Sequence, residues 1–166
     1  MKLGTDNVGA NTVSCIIENI PDVLRRRPQW VNWRYEERGQ KKPTKVPYSP
    51  GTSRKASTTD LLTWGTFEEA VEALESGSYA GMGFVFCSAD PFVGIDVDNC
   101  RNPETGEVDP QVLDLIAQYE KRYTEVSVSG TGIHLITFGK IRGGTKKSDY
   151  ESYDQDRYFC MTGVVL

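Results

Sequence analysis

The chain has 166 residues, of which 38% are hydrophobic and 25% are charged, values typical of one soluble globular domain. No stretch approaches the roughly 20 consecutive apolar residues of a membrane-spanning helix. The N-terminus also lacks the basic-then-apolar order of a secretory signal peptide. We therefore expect a cytoplasmic protein that does not enter a membrane. The four cysteines are widely spaced and there is one histidine, which excludes a zinc site built from clustered Cys and His.

Charge is distributed unevenly along the chain, whose net charge is -4. Residues 21–58 contain ten Lys or Arg against three acidic residues, whereas residues 59–139 contain three against fourteen. The basic segment also carries Trp30, Trp33 and Tyr35, and cations mixed with aromatic rings suit phosphates and stacked bases. An ordinary solvated hairpin surface is the alternative interpretation of this segment.

The first third of the chain predicts a tail, a short helical segment and a hairpin. Residues 1–13 are rich in Gly, Asn and Thr without periodicity, which indicates a flexible tail. Residues 16–24 have apolar spacing that a helix can use, interrupted at Pro21. Residues 30–35 and 43–48 alternate apolar and polar side chains, which predicts a hairpin whose second, proline-containing strand lies at a sheet edge.

Capping signals predict the next helix. Thr66 followed by Glu69 is a capping-box pattern, and it opens a helix expected from Phe67 to about Ser76. Gly77 is expected to end this helix.

The rest of the chain predicts several strands and one more helix. Apolar runs at residues 83–87 and 92–97, separated by a turn, predict adjacent buried antiparallel strands. The apolar face of a second helix begins at Val112, and this helix is expected to end near Arg122. Further strands are predicted at residues 124–128, 133–138, 150–153 and 157–162. This order predicts an α+β domain with a mainly antiparallel sheet and flanking helices.

The chain ends at residues 163–166 within apolar sequence, whereas natural termini are usually polar and loose. We therefore expect residues 14–166 to form one domain cut from a longer protein.

Asp96 and Asp98 are the strongest chemical feature of the sequence. They follow an apolar run at a spacing that places both carboxylates on one face of a strand. Two like charges held close together require compensation, which Mg²⁺ or Mn²⁺ can supply. The alternative is that both acids lie in a loop, solvated and without a function. An EF-hand is disfavoured because Arg101 stands where its loop requires glycine.

A glycine-rich turn precedes the single histidine. Ser129 and Gly130 belong to this turn, whose backbone N–H groups and small side chains can cradle a triphosphate, with His134 on the following strand. The turn is not a Walker A loop, because no Gly-Lys-Ser/Thr follows. A structural role in an apolar strand is the alternative interpretation of His134.

Two further charged residues follow near the end of the chain. Glu151 lies on a short alternating strand and Arg157 begins the next, and each alone could be an ordinary surface charge. Together with Asp96 and Asp98 they provide three acids for two metal ions and a cation for a leaving group. With a phosphate-binding turn, this is the set that nucleotidyl transfer needs.

The order of these segments resembles the prim-pol (primase-polymerase) domains of phages and plasmids, in the archaeo-eukaryotic primase superfamily. The resemblance covers roughly residues 20–163. The segments that carry it are residues 20–24, 29–33, 45–48, 63–67, 94–98, 129–134, 151–154, 157–159 and 162–163.

The resemblance implies an RRM-like catalytic core and template-directed nucleotidyl transfer, as a DNA primase or DNA polymerase in phage, plasmid or mobile-element replication. It implies that Asp96, Asp98 and Glu151 bind two Mg²⁺ or Mn²⁺ ions and are catalytic. Ser129 and His134 would contact the nucleotide.

Gly130, beside Ser129 in the turn, is also expected to contact the nucleotide phosphates. Other assignments rest on charge alone. Lys146 and Arg157 are expected to help bind the nucleotide, and Lys45 and Arg54 to hold DNA.

Two features depart from the family pattern. The second motif is stretched to Ser-Gly-Thr-Gly-Ile-His at residues 129–134, as in the phage branch that it resembles. The residue before Glu151 is Tyr150, where an aliphatic residue is expected, so Asp149 and Asp154 stay open as substitutes for Glu151.

The implied partners are a single-stranded DNA template and an NTP or dNTP, with a helicase domain in the longer protein. The alternative function is a catalytically idle nucleic-acid-binding module of a replication protein. A transferase acting on nucleoside diphosphate sugars is disfavoured, because the predicted element order lacks the βαβ units expected of such folds.

Overall fold

The computed structural model of the protein describes residues 15–39, 42–141, 144–147 and 149–166. The predicted tail, residues 1–13, lies outside the described residues. The helices are α1 (Asp22–Arg25), α2 (Phe67–Glu75) and α3 (Pro110–Ala117). In this described part of the chain, no helix is long and apolar enough to cross a membrane. The strands are β1 (Trp30–Glu36), β2 (Thr44–Tyr48), β3 (Gly81–Phe86), β4 (Phe92–Val97), β5 (Arg122–Val126), β6 (Ile133–Phe138), β7 (Thr145–Lys147), β8 (Tyr150–Tyr153) and β9 (Arg157–Met161).

These strands form two sheets, which we call the first and the second sheet. The strand order is β2-β1-β3-β9 in the first sheet and β5-β6-β4-β8-β7 in the second. Every pairing between the labelled strands is antiparallel. The predicted α+β class with antiparallel strands is therefore confirmed, and β2 lies at a sheet edge as its prolines predicted. The RRM-like core stays a prediction.

The prediction that β3 and β4 are adjacent strands is wrong, because they belong to different sheets. Their connection turns around Asp90, whose buried carboxylate accepts hydrogen bonds from the backbone N–H groups of Cys87 and Phe92. The Gln29 side chain donates to the same carboxylate at 2.6 Å. Backbone donors bound to a side chain are not available for a ladder between the two strands.

Helix α2 begins and ends where the capping signals predicted. The Glu69 N–H donates to the Thr66 side chain at 3.2 Å, and the Thr66 N–H donates to the Glu69 carboxylate at 2.8 Å. This reciprocal capping box satisfies two donors at the helix start. Beyond Ser76, Gly77 has a φ of +76°, which glycine adopts without the steric cost of a side chain.

Helix α3 is shorter than predicted, since it ends at Ala117 and not near Arg122. The Tyr119 N–H bonds to the Ile116 carbonyl three residues earlier, so the last turn tightens instead of continuing as an α-helix. Arg122 instead begins β5, and the strand predicted at residues 124–128 therefore starts two residues earlier. The apolar spacing of the segment includes Tyr119 and could not mark this boundary.

The two sheets share one core. The largest cluster of buried side chains contains Trp30, Phe84 and Phe159 from the first sheet, with Phe92 and Tyr123 from the second. Burying a large apolar side chain contributes about 1.5–3 kcal/mol, so these aromatic residues stabilise the packing of sheet on sheet.

The sheets approach each other closely at Gly94 of β4. A Cβ atom on this residue would lie 2.5 Å from Phe86 Cζ and 2.7 Å from Phe159 Cε2. We expect Gly94→Ala to lower the free energy of unfolding by about 1–3 kcal/mol, because two buried rings must move. Urea unfolding measures this loss. Gly139→Ala is the control, since its nearest neighbour would be Val93 Cγ2 at 3.6 Å. Equal losses in the two variants would contradict the packing argument.

Candidate active site

Five charged or ionisable residues lie in one row across the second sheet. On the central strand β4, Asp96 is paired with His134 of β6 on one side and with Glu151 of β8 on the other. At the flanks, Glu125 of β5 is paired with His134, and Lys146 of β7 with Glu151. Directly paired residues point their side chains to the same face, so all five share one face of the sheet.

Asp96 is the least compensated member of this row. Its side chain is 28% exposed, and its Oδ1 atom is buried without a hydrogen-bond partner among the described residues. Burial raises the pKa of Asp96, and the nearby charges of Asp98 and Glu151 raise it further, although His134 opposes them. The ionised carboxylate is therefore destabilised in the folded protein.

Asp98 lies one residue beyond the end of β4 and is exposed. Its backbone N–H donates to the Asp149 carbonyl at 2.7 Å, which fixes the chain as it leaves the strand. The predicted same-face placement of Asp96 and Asp98 is consistent with both residues lining one cavity, described below.

His134 is held from three sides. Its Nδ1 atom lies 3.0 Å from Glu125 Oε1, and its Nε2 atom lies 3.9 Å from Asp96 Oδ1. The imidazole ring stacks on Phe159 with 4.5 Å between ring centroids and 16° between planes. The side chain is only 8% exposed, so its orientation is set by these neighbours.

The predicted phosphate-binding turn joins β5 to β6. Its Ser127, Ser129 and Thr131 hydroxyls form a chain of hydrogen bonds, each 3.0 Å long. The Thr131 N–H also donates to the Ser129 hydroxyl at 3.3 Å. The turn therefore presents a line of small polar groups.

Glycine residues allow this turn to lie close to the end of β4. A Cβ atom on Gly132 would lie 2.7 Å from the Val97 carbonyl oxygen, so only glycine allows this close approach. Gly130 has a φ of +76° at the tip of the turn, and its carbonyl accepts a hydrogen bond from Arg101 Nη1 at 2.8 Å. The turn is thereby fixed beside Asp98.

A cavity of about 270 Å³ opens between the two sheets at this place. Its lining residues are Lys45, Asp96, Asp98, Ser127, Val128, Ser129, His134, Tyr158, Phe159 and Cys160. Lys45 reaches the cavity from β2 of the first sheet, and the Tyr158 hydroxyl donates to the Lys45 carbonyl at 2.7 Å. The Lys45 charge lowers the pKa of Asp96, although the net shift stays upward. The cavity therefore combines carboxylates, an imidazole, hydroxyls and one ammonium group.

Lys146 and Arg157 line a second cavity, of about 360 Å³, together with Glu151. Lys146 forms an ion pair with Glu151, and the Arg157 guanidinium lies 5.2 Å from the centroid of the Tyr153 ring. Because Glu151 is the cross-strand neighbour of Asp96, this cavity lies one strand away from the first. The structure thus separates the residues predicted to bind nucleotide into two groups.

The register also bears on the two substitutes considered for Glu151. Asp154 is buried and accepts a hydrogen bond from the Ile141 N–H at 3.0 Å. The Asp149 carboxylate accepts one from the Asn99 side chain at 3.1 Å. Glu151 alone of the three is paired with Asp96, which favours the original assignment.

The two residues predicted to hold DNA are not together. Lys45 lines the first cavity, whereas Arg54 is exposed in the loop after β2 and lines neither cavity. Its backbone carbonyl accepts a hydrogen bond from the Ser49 N–H at 2.9 Å, which closes that loop.

The carboxylates are chemically suitable metal ligands, but the described residues do not form a complete metal site. In the part of the chain that the structure describes, no group of three His, Cys, Asp or Glu side chains is arranged to hold a metal ion. The unpartnered Asp96 Oδ1 is nevertheless an oxygen donor of the kind that Mg²⁺ and Mn²⁺ prefer. Glu151 is held by Lys146 and would have to exchange that partner for a metal ion.

Sequence reasoning missed Glu125 and Phe159, which hold the His134 ring. Glu125 is fully buried, with 0% of its side chain exposed. An acidic residue between the neutral residues Thr124 and Val126 of a buried strand is a signal that could have drawn attention to it. Its partner could be found only from the register of β5 against β6.

The fold and the site define a class: a two-sheet α+β domain whose cleft holds paired carboxylates, a histidine and a small-residue turn. The chain is 38% identical over 160 residues to the DNA primase-polymerase of Nitratiruptor phage NrS-1, an alignment covering 91% of this chain. This similarity supports a prim-pol domain, in agreement with the resemblance of the chain's motifs. It spans about one fifth of the relative's length, 21%. No protein-family model matches the chain.

The destabilised charge of Asp96 predicts that a neutral residue at this position stabilises the protein. Because burial raises its pKa above the unfolded value, ionised Asp96 destabilises the fold at neutral pH, and this penalty disappears as pH falls through the folded pKa. We expect Asp96→Asn to raise the free energy of unfolding at pH 7 by on the order of 1 kcal/mol. The difference from the wild type should shrink at acidic pH.

Urea unfolding at several pH values measures this effect in metal-free buffer. Asp114→Asn, at an exposed position of α3, removes the same charge and should change stability by less than about 0.5 kcal/mol. A less stable Asp96→Asn protein at pH 7 would contradict the electrostatic argument.

Proposed function

We propose that this domain carries out template-directed nucleotidyl transfer, as a DNA primase or DNA polymerase in phage, plasmid or mobile-element replication. The observation that carries the proposal is the register that aligns His134, Asp96 and Glu151 on adjacent strands. The similarity to a phage DNA primase-polymerase supports it. The activity requires a nucleotide, a template and a divalent metal.

Asp96, Asp98 and Glu151 are the residues that would hold Mg²⁺ or Mn²⁺. When bound, such ions lower the barrier to phosphoryl transfer by activating the attacking hydroxyl and neutralising charge on the leaving pyrophosphate. The protein contributes a rigid central strand, so that the Asp96 carboxylate is positioned before any ligand arrives.

The nucleotide would lie in the first cavity with its phosphates toward the turn. Ser129 and Gly130 offer small polar groups, His134 offers its Nε2 atom, and Lys45 offers a positive charge. Lys146 and Arg157 line the second cavity, where they can bind phosphate groups that extend past Glu151. Single-stranded DNA would follow the basic side chains of the β1 and β2 segment, with Arg54 on its exposed loop. Trp30 and Trp33 are buried and cannot stack on bases, whereas Tyr35 is 43% exposed.

An idle nucleic-acid-binding module is the second candidate. The observation in its favour is the ion pair between Lys146 and Glu151, which engages the third acid of the site. Such a module would bind single-stranded DNA without binding nucleotide in a metal-dependent way.

Loss of both aspartates tests the proposal. We expect the wild-type chain to bind a non-hydrolysable dNTP analogue in the presence of Mn²⁺, and Asp96→Asn/Asp98→Asn to bind it at least about tenfold more weakly. Isothermal titration calorimetry measures the affinities, and primer extension with Mn²⁺ measures the activity. Asp114→Asn should behave as the wild type.

Two results would contradict nucleotidyl transfer. Undiminished primer extension by the double variant would remove these acids from the reaction. DNA binding without any metal-dependent nucleotide binding by the wild type would favour the idle module.

The position of Lys45 predicts that Lys45 and Arg54 have different roles, with Lys45 binding the nucleotide and Arg54 binding DNA. We expect Lys45→Met to weaken binding of the Mn²⁺-dNTP complex about tenfold, since a charged hydrogen bond contributes about 1.5–3 kcal/mol. Arg54→Met should weaken binding of single-stranded DNA and leave nucleotide affinity within about twofold. Fluorescence anisotropy of labelled DNA and calorimetry with nucleotide distinguish these effects.

Lys121→Met is the control, because Lys121 is exposed and does not line the cavity. If Lys45→Met lowered only DNA affinity, Lys45 would contact the template, as its place in the basic segment first predicted.

A further inference from the structure

Glu125 is a buried carboxylate whose two oxygen atoms have different partners. The Oε2 atom accepts hydrogen bonds from the Thr162 N–H at 3.0 Å, the Gly163 N–H at 2.8 Å and the Tyr123 hydroxyl at 2.8 Å. The Oε1 atom lies 3.0 Å from His134 Nδ1. Four donors thus converge on one carboxylate that is inaccessible to solvent. A buried charge bonded in this way is stable, whereas one without partners is not.

These contacts determine where the proton of the His134 ring lies. An ionised carboxylate can only accept hydrogen bonds, so Nδ1 of the imidazole has to be the protonated nitrogen. Burial and the Glu125 charge raise the pKa of Tyr123, which keeps its hydroxyl a donor to Oε2. With Nδ1 engaged, Nε2 is the ring nitrogen that faces Asp96 at 3.9 Å.

The ring is also fixed in its plane. Phe159 stacks on one face of the imidazole at 4.5 Å, so rotation about the Cβ–Cγ bond would break both this contact and the bond to Glu125. His134 lines the first cavity. Its Nε2 atom is therefore held at the cavity, where it can contact a ligand.

We propose that Glu125 is a positioning residue, which holds His134 with a proton on Nδ1 and its unprotonated Nε2 directed into the cavity, where Nε2 accepts a hydrogen bond from a hydroxyl group of the nucleotide. The role of Nε2 toward a nucleotide hydroxyl rests on the proposed function. The control of the ring by Glu125 rests on the geometry alone. The two parts can therefore be tested separately.

Glu125→Gln is the informative substitution, because it keeps the shape of the side chain. The three donors at Oε2 require the amide oxygen at that position, which places the amide nitrogen opposite His134 Nδ1. An amide nitrogen only donates, so Nδ1 must lose its proton and accept. In the neutral ring the proton then moves from Nδ1 to Nε2, and no atom is gained or lost.

Nuclear magnetic resonance reads this change directly. The chain contains one histidine, so tag-free protein labelled with ¹⁵N-histidine gives the signals of a single imidazole ring. We expect a protonated Nδ1 in the wild type and an unprotonated Nδ1 in Glu125→Gln. Glu120→Gln, an exposed residue just before β5, should keep the wild-type spectrum. An unprotonated Nδ1 in the wild type, or an unchanged ring in Glu125→Gln, would overturn the proposal.

Nucleotide affinity tests the functional part with a double-mutant cycle. We expect Glu125→Gln to weaken binding of the Mn²⁺-dNTP complex about tenfold, as removal of a supporting partner of a ligand residue does. In a His134→Ala background the same substitution should change affinity by less than about twofold, because its effect passes through the ring. Equal losses in both backgrounds would show a general structural effect and overturn the positioning role.

The outcomes separate the two proposals. If the wild type binds no nucleotide with Mn²⁺, the proposed function fails, and the ring spectra still decide whether Glu125 controls His134. If nucleotide binds and the ring does not respond to Glu125→Gln, the proposed function stands and the positioning role fails.

Discussion

The register of β4 against β6 and β8 is the constraint on which the candidate site depends. Backbone hydrogen bonds set this register, and it aligns Asp96 with His134 and with Glu151. Side chains alternate between the faces of a strand, so a slip of one residue would turn each of them to the opposite face. Groups placed by the centre of a sheet are held more precisely than groups placed by loops. The loops then bring only Asp98 and the turn at Ser129, at the ends of these strands.

Two carboxylates of the second sheet have opposite environments. Glu125 has four hydrogen-bond donors and no exposure, whereas Asp96 has a buried oxygen with no hydrogen-bond partner among the described residues. A buried acceptor left unsatisfied costs about 1–3 kcal/mol. The folded protein carries this cost at Asp96 and not at Glu125. Such a cost is typical of a position whose partner is a ligand. The two carboxylates therefore differ in how completely the described part of the protein satisfies them.

The sequence predicted those features that depend on neighbouring residues. The capping box of Thr66 and Glu69, the edge position of the proline-containing strand and the strand that carries Asp96 are all local patterns. Features that depend on distant pairing were not predicted. In the connection between β3 and β4, Asp90 binds two backbone donors, and at the end of α3 the chain turns at Tyr119. Neither interaction changes the apolar periodicity from which elements are predicted.

The site was predicted to a similar extent. The spacing of Asp96 and Asp98 needs only the geometry of one strand, so their shared cavity could be expected. The place of Lys45 could not, because it depends on which sheet β2 joins and on which face that sheet turns to the cavity. Glu125 was missed for the same reason, since its partner lies on another strand.

The basic and the acidic segments of the chain both contribute side chains to this cavity. Lys45, from the basic segment, lies opposite Asp96 and Asp98, from the acidic one. An anion alone would be repelled by the carboxylates, and a cation alone would be repelled by the Lys45 ammonium group. A nucleotide bound to a divalent metal carries both signs, with the cation beside its phosphates. The cavity therefore suits a ligand of mixed charge, and the net charge of the whole chain carries no information about it.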